Sequence, residues 1–113
     1  MVILILEDDP AVGQVYASAL QSDGHEVRVC SSFEEARKAL RESLPDALLT
    51  DVRVGSYNGL QLALQFRAMA NQSPIVVVSG HDDLVIREEA HRIPAIFLVK
   101  PVNLDVLRSE FAG

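Results

Sequence analysis

The sequence is poor in cysteine and in aromatic residues: one cysteine, Cys30, no tryptophan, and 5% Phe, Trp and Tyr over 113 residues. A lone cysteine excludes an internal disulfide framework and a cysteine-based zinc site. Basic charge is also scarce, with 10 Lys and Arg against 16 Asp and Glu and a net charge of −6. That balance argues against a direct nucleic-acid surface, which needs clustered Lys and Arg. No apolar run approaches the ~20 residues that cross a bilayer. The opening run to Leu6 is apolar but passes straight into Glu7-Asp8-Asp9, with no basic flank and no cleavage-type tail. Neither a signal peptide nor a membrane anchor fits, so a cytoplasmic location is the default expectation. What remains is ordinary globular composition, 49% hydrophobic and 23% charged. Residues 1–113 are expected to form a single domain around one core, with no effector domain among them.

Short apolar runs recur along the chain: Val2–Leu6, Val27–Cys30, Ala47–Thr50, Ile75–Val78 and Ala95–Val99. Each has about the length of a strand. The first, fourth and fifth are continuously apolar, the pattern of parallel strands covered on both faces. Helix signals fill the gaps. Asp9-Pro10 reads as an N-cap and first helical residue, followed by Val12, Val15, Tyr16 and Ala19 at helical spacing and by Gly24 as a terminating glycine. Ser32-Phe33-Glu34-Glu35 is a capping box, with Ala36 and Leu40 continuing the face of Phe33. Leu60, Ala63, Leu64 and Phe66 mark a third helix, ended by Ser73-Pro74. A fourth starts at Asp82-Asp83 and stops before Pro94; a fifth covers Asn103–Phe111, with Leu104 and Leu107 as its apolar face. Strands alternating with helices imply right-handed crossovers, a five-stranded parallel sheet and helices on both of its faces.

In such α/β folds, ligands bind beyond the carboxyl ends of the strands. Four of the five runs end there in reactive side chains: Glu7 and Asp8, Asp51, Ser79, and Lys100. Three convergent carboxylates repel one another unless cations offset them, and Lys100 supplies one charge. A hard divalent cation with oxygen ligands, such as Mg²⁺, is the expected complement, and it brings phosphate oxygens with it. The spacing therefore points to a Mg²⁺-dependent phosphoryl site.

The ordered pieces Ile3–Pro10, Leu49-Thr50-Asp51 with Asn58-Gly59, Val77–Gly80 and Phe97–Pro101 together resemble a response-regulator receiver domain, the family of the chemotaxis regulator CheY. The resemblance covers essentially the whole chain. It implies a flavodoxin-like doubly wound (βα)5 fold with strand order 2-1-3-4-5. It implies that Asp51 is the phosphoacceptor, taking its phosphoryl group from a sensor histidine kinase or a phosphotransfer protein. Asp8 and Asp51 would ligate Mg²⁺, Glu7 through water, and Arg53 through its backbone carbonyl, while Asp9 serves as the helix cap. Lys100 and Ser79 would hold phosphoryl oxygens, with Pro101 in the cis form directing Lys100. Ser79 and Phe97 would form the conformational switch, although Phe97 also reads as plain core. The chain would catalyse only its own phosphorylation and dephosphorylation, and would not be a turnover enzyme. Its downstream protein target is not legible.

Two departures from the family pattern stand out. Gly55 occupies a position where proline is usual, and Ile93-Pro94 replaces a small-residue turn. Cys30 reads as a buried thiol, and His25, His81 and His91 as surface histidines. Arg37, Lys38 and Arg41 read as a solvated helix face. The nearest alternative is the receiver segment of a larger hybrid kinase or transcription regulator. A Mg²⁺-dependent phosphatase with an Asp-x-Asp nucleophile fits less well, because Glu7-Asp8-Asp9 does not supply that pattern. A flavodoxin-like nucleotide binder lacks its glycine-rich loop after the first strand.

Overall fold

The computed structural model describes residues 1–112; Gly113, the last residue of the expected domain, lies outside the described residues. The chain runs β1 (Val2–Leu6), α1 (Pro10–Gln21), β2 (Glu26–Cys30), α2 (Phe33–Glu42), β3 (Ala47–Asp51), β4 (Arg53–Val54), β5 (Tyr57–Asn58), α3 (Gly59–Met69), β6 (Ile75–Ser79), α4 (Leu84–Arg92), β7 (Ile96–Val99) and α5 (Leu104–Glu110). The main sheet is parallel, in the order β2-β1-β3-β6-β7. This is the expected 2-1-3-4-5 order once the small antiparallel β4–β5 pair is set aside. That pair was not expected, because two-residue strands carry no periodicity.

Alternation along the strands divides the core. Leu4, Leu6, Leu48, Ile75 and Val77 face α2, α3 and α4, packing on Phe33, Leu40, Leu62, Phe66 and Ala90. Ile3, Ile5, Leu49, Val76 and Val78 face the other way, onto Tyr16, Ala17 and Leu20 of α1 and Leu107 and Phe111 at α5. Each such aliphatic side chain, fully buried, contributes about 1.5–3 kcal/mol to folding.

The start and stop signals act as expected. Asp9 caps α1 by accepting from Ala11 and Val12 N–H, and Ser32 caps α2 by accepting from Glu35 N–H. Glu35 reciprocates on Ser31 N–H at 2.8 Å. Gly24 takes a left-handed φ of 90°, with Gly24 N–H donating to Gln21 O and His25 N–H to Leu20 O behind α1. The Lys100–Pro101 bond is cis, as the resemblance implies, and so is Ile93–Pro94.

Three expectations need correction. The buried face of α1 is Gly13, Tyr16, Ala17 and Leu20, while Val15 is 50% exposed. On α3, Leu62 is buried and Leu64 is 56% exposed. In both helices the apolar residues form a stripe wider than the buried one, so pattern alone misplaces its centre. The fifth apolar run is not covered on both faces. It lies at a sheet edge, where Ile96 is 44% exposed and Phe97, Leu98 and Val99 are half-buried.

Candidate functional site

The chain enters the sheet at β1, moves outward to β2, and returns past β1 to β3, so strand order reverses between β1 and β3. Leu6 pairs with Thr50, which sets Glu7 beside Asp51 just beyond the strand ends. Ligands of doubly wound folds bind at this crevice. Glu7 (1% exposed), Asp51 (8%) and Ser79 (7%) are buried. Asp8 is exposed, and one carboxylate oxygen from each of Glu7, Asp8 and Asp51 lies within 4.8 Å of the others.

Lys100 reaches this group from the end of β7. Its Nζ donates to Glu7 Oε1 at 2.9 Å and to Asp51 Oδ2 at 3.0 Å, and its backbone N–H donates to Ser79 O at 2.8 Å. Burial raises the Glu7 carboxyl to about 7 against the pull of Lys100, and the neighbouring Asp51 pushes it the same way. Burial works against the Lys100 ammonium, but hydrogen bonds to Glu7 and Asp51 outweigh it and hold its pKa above the ordinary lysine value. One lysine thus leaves three acids under-compensated, and the donor set is all carboxylate oxygen. Those are the conditions that favour a hard divalent cation.

Residues 3–112 match the model of the family described as response regulator receiver domain. The chain belongs to that family. Among curated relatives, the alginate biosynthesis transcriptional regulatory protein AlgB of Pseudomonas aeruginosa is 31% identical, over 94% of this receiver domain and 24% of the relative. The response regulator protein TodT of Pseudomonas putida F1 is 34% identical, over 94% of the domain and 47% of the relative. The chain therefore spans a quarter to a half of these proteins. The fold also matches the crystal structure of a CheY-like receiver domain protein from Methanospirillum hungatei, with a TM-score of 0.89, 22% identity, and coverage of 96% of this chain and 88% of that one. This is a receiver domain of two-component response regulators.

Within the receiver domain, Glu7, Asp8, Asp51 and Lys100 come together as the sequence suggested. Asp9 is turned to the α1 cap and adds only a 3.3 Å bond from its N–H to Glu7 Oε2. Arg53 and His81 line an open pocket of about 330 Å³ with Ser79, Asn58 and Asp83. Phe97 is not among the pocket residues; it is half-buried on β7 beneath the Arg87 guanidinium. The Gly55 departure has a backbone reason. Its φ is 60°, which proline cannot adopt, and its N–H, which proline lacks, donates to Asp8 Oδ2 at 3.4 Å.

Two residues with a part in the site were missed. Thr50, fully buried, donates its hydroxyl to Asp51 O at 3.0 Å. Gly59 presses its bare Cα on the same carbonyl: a Cβ there would collide with Asp51 O and lie 2.7 Å from Thr50 Oγ1. Its N–H donates to Val52 O at 2.6 Å. Asn58-Gly59 was visible as a motif, but only the fold brings it against Asp51. Cys30 is buried as expected, and burial pushes its thiol up to about 11.

Proposed function

We propose that Asp51 accepts a phosphoryl group from a phosphohistidine on a sensor histidine kinase or phosphotransfer protein, and that the added charge shifts a two-state equilibrium read by a downstream protein. The observation that carries this reading is the Lys100 ammonium bonded at once to Asp51 and Glu7, with Asp8 in the same cluster. An Asp51 carboxylate oxygen attacks phosphorus, and the P–N bond breaks. The electron pair leaves with the imidazole, which retains a proton. Lys100 is placed to stabilise charge on the equatorial oxygens, and the Ser79 hydroxyl to hold another.

The acid cluster fits Mg²⁺: Asp8 and Asp51 would hold it with the Arg53 carbonyl, and Glu7 through water. Bound there, it supplies the neutralisation that lets a phosphoryl group approach three carboxylates. The same site loses its phosphoryl group to water, so the chain's chemistry is confined to its own Asp51. Arg53 and His81 at the pocket wall carry no carboxylate or amide to orient that water, and the Asn58 and Asp83 side chains beside them are engaged as the caps of α3 and α4, which supports a long-lived phosphorylated state. The longer curated relatives favour a reading in which this domain regulates an effector region, as AlgB and TodT are named regulators. We assign it to the cytoplasm, where such kinases present their phosphohistidine; none of the helices among the described residues is long and apolar enough to cross a membrane.

Incubation with Mg²⁺ and acetyl phosphate, read by intact mass, tests the proposal. A gain of one phosphoryl group that vanishes with a chelator supports it. No gain in the intact chain, or an equal gain in Asp51→Asn, overturns it.

A further inference from the structure

We propose that Arg87 is a positioning residue for the switch: a latch that ties the Phe97 ring to the loop following Ser79 and so sets the resting state. This rests on the reading of Asp51 as acceptor and Ser79 as the residue that follows the phosphoryl group. The Arg87 guanidinium lies over the Phe97 ring, 4.8 Å from its centroid, within range of a cation–π contact. The same guanidinium donates to Asp82 Oδ1 through Nη2 at 2.7 Å and Nε at 3.2 Å. Asp82 sits three residues after Ser79, ahead of the α4 cap Asp83. One side chain on α4 thus spans from β7 to the loop that leaves the phosphoryl site.

With Ile86, Phe97 packs against the core under α2, α3 and α4, and Ile86 also lines the pocket beside Ser79. Phe97 also lines an open pocket of about 540 Å³, together with Arg87, His91 and Ile96 among others. The Arg87–Asp82 pair is exposed, at 45% and 66% of its side chains. Such a pair stabilises the fold little. It can still decide between two arrangements of nearly equal free energy, because a small differential interaction shifts their populations. Movement of Ser79 toward a phosphoryl oxygen draws the Gly80–Asp82 loop with it and takes the carboxylate from Arg87. The guanidinium then loses its anchor and the ring its cover.

Arg87→Met keeps the aliphatic stem and removes the cation; Asp82→Asn keeps the shape and removes the anchor. The first readout is the set of Phe97 ring resonances in chain carrying labelled phenylalanine, without phosphodonor. The second is the initial rate of phosphorylation by acetyl phosphate with Mg²⁺. Both variants are expected to shift the ring resonances and to raise the rate several-fold, because more of the chain populates the reactive arrangement. In a Phe97→Leu background, Arg87→Met should add nothing further, since the two residues act as one unit. Unmoved ring resonances in both variants, or a rate gain of the same size in the Phe97→Leu background, would overturn the latch. A wild-type chain that takes no phosphoryl group overturns the acceptor reading instead, while the donor-free resonances still decide the Arg87–Phe97 contact.

Discussion

Lys100 and Glu7, 93 positions apart, meet at 2.9 Å with the glutamate 1% exposed. The contact joins the end of β1 to the end of β7 across the mouth of the site. Burial of Glu7, acting against this contact, couples the stability of the metal-free domain to pH, because it raises the carboxyl from 4.5 to about 7 in the folded chain. The folded chain then binds the extra proton between these values. The Glu7 contribution is complete below about 4.5 and lost as pH rises through about 7. Urea midpoints of metal-free chain should fall across that window, and Glu7→Gln should flatten the fall. A midpoint that rises there in the wild type but not in the variant contradicts the assignment.

Gly59→Ala places a methyl group against Asp51 O and Thr50 Oγ1. Overpacking of this kind costs about 1–3 kcal/mol. Gly80→Ala meets nothing within 4 Å and should stay within ~0.5 kcal/mol of wild type. Equal losses for the two in urea unfolding would show that α3 is not seated as described.

Metal affinity should depend on Asp8 more than on Asp9. Asp8→Asn removes a charge from the acid cluster, whereas Asp9→Asn keeps a competent cap for Ala11 and Val12. A Mg²⁺ titration with equal losses in the two variants would remove the distinction.

Arg53 and His81 border the pocket beside Ser79. Replacing each by Ala should change the dephosphorylation rate far more than the phosphorylation rate. A tenfold change in lifetime needs only ~1.4 kcal/mol of barrier. If both rates move in parallel, these side chains govern assembly of the site rather than access of water.

The alternation of strands and helices and the acid cluster were legible because they are written in short-range signals, strand-length apolar runs and polar residues at their ends, whereas the strand order came only from what the receiver resemblance implies. The seat under Asp51 was not, since Thr50 and Gly59 acquire their roles only when α3 is packed on β3. Val15 and Leu64 misled because an apolar residue beside a buried stripe has the same spacing as one within it. Ile96 misled because an edge strand and a central strand share a composition, and only strand order tells them apart. The Arg87–Asp82–Phe97 contact has no sequence signal, as it joins a loop, a helix and a strand through surface side chains.

The most direct test of the central claim is to locate the phosphoryl group. After reaction with Mg²⁺ and acetyl phosphate, borohydride reduces an aspartyl phosphate to homoserine, and peptide mass spectrometry reads its position. The account predicts homoserine at position 51 alone, absent without Mg²⁺ and absent from Asp51→Asn. Homoserine at position 8 or 9, with position 51 unmodified, would contradict it.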